Sequence, residues 1–370
     1  MQASVASIGW LYCFAAKFIE QPVRMNPVDQ NVSGNEANLP RRRRLLSPDE
    51  YVSGVLAGDR GVLARAITLV ESTSPMHEAQ AQEVLHRLLP HTGRAQRIGI
   101  TGVPGVGKST FIERFGCYLI EQGRKLAVLA IDPTSKRSGG SILGDKTRME
   151  KLSQKPQAFI RPSPAGDNLG GVARRTRETL LLCEAAGFDT ILVETVGVGQ
   201  SETALRSMVD FFLLLLLPGA GDELQGIKKG IVEMADVVLI NKADGDNRLR
   251  AEQAKAEQQN ALHYLTGPTT DWTTEVALCS GLTGEGIPEA WQLIQRFFHQ
   301  FEPNGVIVKR RQQQSLDWLF TLVQDELLRR FYHDPKIKGR LAELKQQLLR
   351  GDITAVRAAE DLLDGYGGER

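Results

Sequence analysis

Arg97-Ile-Gly-Ile-Thr-Gly102-Val-Pro-Gly-Val-Gly-Lys108-Ser-Thr110 is the stretch whose reading decides the fold. Arg97–Thr101 has the composition of a short buried strand, and an amphipathic helix is expected over Ser109–Gln122. Between them lies G-x-x-x-x-G-K-[ST], in the strand–loop–helix context that gives this pattern its meaning. Along Gly102, Val103, Pro104, Gly105, Val106, Gly107, Lys108, Ser109 and Thr110 the main chain can curl its N–H groups around phosphate oxygens. The helix N-terminus adds the positive end of its dipole. Lys108 is placed to bridge a β- and a γ-phosphate, and the Ser109 hydroxyl to ligate Mg²⁺.

Outward from this loop, apolar runs of strand length alternate with amphipathic helices. Besides Arg97–Thr101, strands are expected at Leu126–Ile131, Ala158–Arg161, Thr190–Glu194, Phe211–Leu217, Val237–Ile240 and Glu275–Cys279. Their apolarity is continuous rather than alternating, so both faces of the sheet are covered. The expected fold is α/β, a doubly wound, mostly parallel sheet of P-loop NTPase type. Upstream, Ser47-Pro48-Asp49-Glu50 spells a capping box with Pro at the first helical position, and two or three helices follow. Downstream of about Glu302 strands cease; helices are expected at Gln312–Phe331 and Ile337–Leu349. The expected divisions are a disordered leader or over-extended N-terminus over 1–46, N-terminal helices over 47–92, the nucleotide domain over 93–303 and a helical arm over 304–370.

Asn241-Lys242-Ala243-Asp244 fits N-K-x-D and directly follows the strand Val237–Ile240, at an edge where such sheets bind ligands. The Asp244 carboxylate can accept from N1–H and the 2-amino group of guanine. Adenine lacks that donor pair and would leave the carboxylate unpaired. Asn241 is expected to brace the loops and the Lys242 stem to cover the base. Ser280, Gly281 and Leu282, after a further strand, are expected to offer a backbone N–H to the guanine O6. The ligand implied is Mg-GTP.

Glu194-Thr-Val-Gly197 follows another strand, so Glu194 would hold Mg²⁺, directly or through water, and the Gly197 amide would sense the γ-phosphate. Common small GTPases place Asp at the first position and a water-orienting Gln after the Gly; here stand Glu194 and Val198, and the nearest glutamine is Gln200. Slow intrinsic hydrolysis is expected, with Gln200 or a partner completing the water-positioning apparatus. Asp132 and Asp145 lie in the loop expected to face the phosphates, and either could enter the magnesium shell; Asp145 reads equally as a helix N-cap. Gly219 to Gly230 is a Gly-rich loop that reads as a third switch or as a capped turn.

The balance of 45 basic against 44 acidic residues, net +1, gives no field to hold nucleic acid or an anionic membrane non-specifically. The longest apolar run, Phe211–Leu217, falls short of a membrane span. The four cysteines, Cys13, Cys117, Cys183 and Cys279, are scattered, which suits a reducing, cytoplasmic setting. The six histidines show no metal-site spacing. Ile8–Phe18 is apolar but has no positive charge before it, so a leader or a natural start at Met25 is expected rather than a signal peptide.

Taken in order, Val103–Thr110, Asp132-Pro-Thr-Ser, Gly139–Met149, Glu194-Thr-Val-Gly-Val-Gly-Gln-Ser-Glu202, Gly221–Gly230 and Asn241-Lys-Ala-Asp-Gly-Asp246 resemble the ArgK/MeaB family of P-loop GTPases. The resemblance runs from about Leu46 to the C-terminus. It implies a homodimer joined through the C-terminal arm. It implies GTP-gated loading of adenosylcobalamin into methylmalonyl-CoA mutase, and protection of that partner. It matches Glu194, Asp132 and Asp145 to the family's magnesium-associated positions and Gly219–Gly230 to its third switch. An older family label implies the alternative, a P-loop kinase linked to transport of basic amino acids. Such a kinase has no need of N-K-x-D.

Overall fold

A computed structural model describes residues 44–131, 149–162, 169–195, 201–219, 229–263 and 267–367. Three helices come first: α1 (Pro48–Leu56), α2 (Arg60–Glu71) and α3 (Pro75–Leu88). The expected capping box starts α1. The Ser47 hydroxyl accepts from the Glu50 amide at 3.2 Å and the Glu50 carboxylate accepts from the Ser47 amide at 2.7 Å. Asp59 caps α2, its carboxylate accepting from the Gly61 and Val62 amides.

Strands and helices then alternate: β1 (Gln96–Gly102), α4 (Lys108–Glu121), β2 (Leu126–Ile131), α5 (Glu150–Ser153), β3 (Ala158–Arg161), α6 (Leu169–Ala185), β4 (Thr190–Thr195), α7 (Ser201–Arg206), β5 (Phe211–Leu216), α8 (Lys229–Glu233), β6 (Val237–Ile240), α9 (Arg248–Leu262), β7 (Glu275–Leu278) and α10 (Ile287–Phe301). The strands form one seven-stranded sheet in the order β3-β2-β4-β1-β5-β6-β7. Every pairing is parallel. β1 lies centrally. The chain winds to one side through β2 and β3, returns to fill the gap with β4, then winds to the other side. The carboxyl edge beside β1 is therefore the crevice where order reverses and ligands bind in such sheets.

Strand side chains alternate between two cores. Phe211, Leu213 and Leu215 of β5 join α4 and α10 on one face. Phe212, Leu214 and Leu216 join α1–α3, α6 and α7 on the other. That is why β5 reads as an unbroken apolar run. Helix α10 shows the complementary periodicity, burying Ile287, Ala290, Ile294, Phe297 and Phe301 along one stripe. Phe297 meets Phe211 edge-on at 4.9 Å between ring centroids.

Three helices close the chain: α11 (Val306–His333), α12 (Pro335–Arg350) and α13 (Ala355–Gly367). The 28 residues of α11 span about 42 Å at 1.5 Å per residue. Its first turns are clamped to the sheet's amino edge. Arg311 pairs with Asp210, whose side chain is fully buried, and donates to the carbonyl of Ala95 at 2.6 Å. Gln314 donates to the carbonyl of Val209 at 2.8 Å. Beyond that root, Leu316, Leu319, Phe320, Val323 and Leu327 are exposed. All of Leu46–Arg370 is one compact unit.

Four of the seven strands depart from expectation, β1 by one residue at each end and β4, β5 and β7 by one residue at the carboxyl end. Helix α11 begins six residues earlier than expected, at Val306 rather than Gln312. Its N-cap is Gly305 in the left-handed conformation without a side-chain cap, so no capping side chain marked the start. α13 was not expected at all. The expected leader falls almost wholly outside the described residues.

Candidate functional site

The candidate site sits on the carboxyl edge, where β1, β4, β6 and β7 all end. β1 delivers Gly102, and α4 starts at Lys108, one residue ahead of expectation. Gly107 caps that helix at φ 94°, without a side-chain cap. The first helical bond runs from the Phe111 amide to the Gly107 carbonyl at 2.9 Å. The amides ahead of it in the first turn, among them those of Lys108 and Ser109, are the orphan donors a helix start leaves for a ligand. A Cβ on Gly107 would stand 2.9 Å from the Asn241 amide nitrogen, so both the backbone angle and the space require glycine.

Asn241 joins two loops. It follows β6 and is 1% exposed. Its Nδ2 donates to the Val106 carbonyl of the phosphate loop at 2.8 Å. Its Oδ1 accepts from the Gly281 amide at 3.0 Å and from the Cys279 thiol at 3.6 Å. One side chain thereby ties the loop after β1 to the loop after β7, using donor and acceptor together. Gly281 packs against the start of α4, where a Cβ would lie 2.9 Å from the Phe111 nitrogen. Next in the chain, Lys242 holds a left-handed φ of 60°, a strained angle for a side-chain-bearing residue. Its stem passes Gly107. Asp244 is half-buried, and its carboxylate makes no bond to the short 3₁₀ turn it begins.

Of the three residues expected after β7, the Ser280 amide is taken by the Glu285 carbonyl at 2.8 Å and the Gly281 amide by Asn241. Among the described residues the Leu282 amide has no acceptor of this kind. Leu282 is exposed, and its carbonyl accepts from Arg114 at 2.7 Å.

Lys108 folds its ammonium back onto its own loop, donating to the carbonyls of Gly102 at 2.6 Å and Val103 at 3.2 Å. Burial lowers its pKa, and the carboxylates of Glu194 and Glu202 oppose that by raising it. Glu194 lies near the end of β4 and is buried. Thr195 follows it and shares a 2.7 Å hydroxyl contact with Thr101 of β1, fixing the two strand ends side by side.

The structure therefore gathers Gly102 through Thr110, Glu194, Asn241, Lys242, Asp244, Ser280, Gly281 and Leu282 at one edge of one sheet. Asp132, Asp145, Gly197 and Gln200 lie outside the described residues, as does most of Gly219–Gly230. Residue-by-residue reading missed Glu202. It sits in the motif after Glu194, and its burial and the action of its charge on Lys108 mark it out. Orphan amides, a lysine and acidic side chains at the sheet edge are a donor set that fits a magnesium-bound triphosphate. No described helix is long and apolar enough to cross a membrane.

The profile of the family described as "Methylmalonyl Co-A mutase-associated GTPase MeaB" matches residues 63–336. A "Putative GTPase" of Caulobacter vibrioides is 54% identical over 322 residues, covering 87% of this chain and 98% of its own length. The "GTPase ArgK" of Escherichia coli is 48% identical over 283 residues, covering 76% of this chain and 86% of its own. Among solved structures, that of a "LAO/AO transport system kinase" superposes with a TM-score of 0.72 at 37% identity, covering 87% of this chain and 99% of that one.

Proposed function

The chain belongs to the MeaB family of methylmalonyl-CoA mutase-associated GTPases, and from that premise we propose that it is a guanine-nucleotide switch acting as chaperone to such a mutase. The observation that carries the reading is the Asn241 junction. It sets the N-K-x-D segment against the phosphate loop, so one nucleotide can span both.

In this reading the first-turn amides of α4 and the Lys108 ammonium bind the β- and γ-phosphates. Lys108 exchanges its two loop carbonyls for phosphate oxygens as the nucleotide enters. Asp244 reads the N1–H and 2-amino edge of guanine, the Leu282 amide meets O6, and the Lys242 stem covers the ring. Ser109 and Glu194, with Asp132 and Asp145, would hold Mg²⁺; when bound, that ion neutralises charge on the β- and γ-oxygens. The Gly197 amide senses the γ-phosphate. Val198 stands where small GTPases carry their water-orienting glutamine, so basal hydrolysis is slow, and Gln200 or the partner completes the arrangement. Nucleotide state then gates adenosylcobalamin loading into the mutase and protects it.

The same reading makes the protein a homodimer. The exposed apolar stripe from Leu316 to Leu328 runs along α11 beyond its root, and a second copy of this chain would cover it.

Labelled GTP tests the proposal directly. Free phosphate is expected at a slow rate that rises when a cobalamin-dependent methylmalonyl-CoA mutase is added. Label on an added protein or basic amino acid would support the kinase alternative instead. A rate indifferent to the mutase would remove the partner assignment.

A further inference from the structure

We propose that Glu202 belongs to the nucleotide machinery, as the residue that holds a water of the divalent cation accompanying GTP. Glu202 lies on α7, directly after the segment that contains Gly197. Its side chain is 4% exposed, and its Oε2 is a buried oxygen with no hydrogen-bond partner. Leaving a carboxylate oxygen in that condition is costly, so a donor arriving with the ligand would relieve it.

Among the described residues, Lys108 and Arg206 are engaged elsewhere. Lys108, on which its charge acts, is bonded to the carbonyls of Gly102 and Val103. Arg206 stands four residues on, at the spacing that would favour a helical ion pair. It turns instead to Asp236, which it meets at 2.5 Å. Among the described residues none donates to Oε2, and the ligand is the source of donors that the site is built to receive. A triphosphate offers acceptors only, and the guanine donors are claimed by Asp244 in the reading above. Of the other donors that arrive with it, the ribose hydroxyls and the waters of the hydrated cation, the waters suit Glu202 better, because they are polarised and the cation's charge suits a carboxylate. Glu194 is the other carboxylate whose charge acts on Lys108, so acidic groups from β4 and α7 act on the same lysine.

This inference rests on the nucleotide reading, and the test separates the two. A fluorescent, non-hydrolysable GTP analogue is titrated into wild type and Glu202→Gln, first in chelator, then with rising Mg²⁺. The variant is expected to bind the analogue without metal as well as wild type or more tightly, since a negative charge has left the pocket. It should need about tenfold more Mg²⁺ for the half-maximal metal-dependent change, the factor for replacing a charge-assisted hydrogen bond by a neutral one. If E202Q does not fold, Glu202→Asp, which keeps the charge but withdraws the oxygen, must raise the Mg²⁺ midpoint as well. An unmoved midpoint with analogue binding intact makes Glu202 a counter-charge to Lys108 only and overturns the inference alone. Wild type that binds no analogue at any Mg²⁺ concentration overturns the nucleotide reading and the inference together.

Discussion

Replacing Asn241 with Ala should damage both stability and nucleotide binding, because one side chain holds two loops. The substitution removes the donor to the Val106 carbonyl at 2.8 Å and the acceptor from the Gly281 amide at 3.0 Å. Both groups are then left buried and unpaired, at ~1–3 kcal/mol each. The site lies at the sheet edge, where the loops can relax and admit water, so the low end of the summed ~2–6 kcal/mol applies, about 2–3 kcal/mol. A domain of this order of size shifts by roughly 2–4 °C per kcal/mol, giving a Tm loss of about 4–12 °C. Freed loops must also be ordered again on binding. If most of that cost falls on the bound state, GTP affinity drops by ~30- to 150-fold. Asn241→Asp should be worse despite its shape, since it keeps an acceptor for Gly281 but sets a buried carboxylate against the Val106 carbonyl. Thermal melts with and without nucleotide, beside titration of a fluorescent GTP analogue, separate the two effects. An N241A protein that melts and binds like wild type would show that the junction carries no energy and that the two loops hold their places independently.

Asp244→Asn should shift preference from GTP toward xanthosine triphosphate, read by competition binding; intact GTP affinity would refute the base assignment. Lys108→Met should abolish hydrolysis, and Lys108 also sets a pH dependence. Its pKa is lowered below 10.5, chiefly by burial. Between the folded value and 10.5 the unfolded chain holds the extra proton, so this group's contribution to stability rises with pH across that interval. GTP affinity, which needs the ammonium, falls across it; titrations from about pH 7 to about pH 10 should show a steeper decline than in K108M, where only loss of the guanine N1 proton that Asp244 reads remains. Leu319→Asp with Val323→Asp should turn a dimer into a monomer in sedimentation while leaving the basal GTPase rate within about twofold, since both side chains are exposed and far along the chain from the nucleotide loops.

Much of the fold was legible because the signals are local. Phe211–Leu217 announces a strand covered on both faces, and Ser47 with Glu50 announces a helix start within four residues. The phosphate loop and N-K-x-D are legible for the same reason: each is a short segment whose residue types suit one task. What the sequence could not supply is the bond between them. Asn241 reaches Val106 across 135 positions. No periodicity links the two, and a turn-forming asparagine has the same composition as a bracing one.

The root of the C-terminal arm makes the same point with charge instead of amide. Arg311 and Asp210 are 101 positions apart and meet at 2.5 Å, with the carboxylate wholly buried and also accepting from the Arg97 amide at 2.9 Å. Asp236, equally buried, accepts from Arg206 of α7 and from the Phe212 amide at 2.8 Å. On the sequence these are ordinary charged residues in a nearly neutral chain, indistinguishable from solvated ones. Their burial makes them expensive to leave unpaired, so each fixes the geometry of the element that reaches it. Arg206 and Glu202 share α7, the first anchored at Asp236 and the second facing Lys108. Gln314 of α11 donates to the carbonyls of Arg206 and Val209 that close that segment. One short helix thus carries at one end a buried carboxylate whose charge acts on Lys108 and at the other the carbonyl that Gln314 of α11 reaches, which is the connection the proposed nucleotide switch needs if α11 is to feel what the loop has bound.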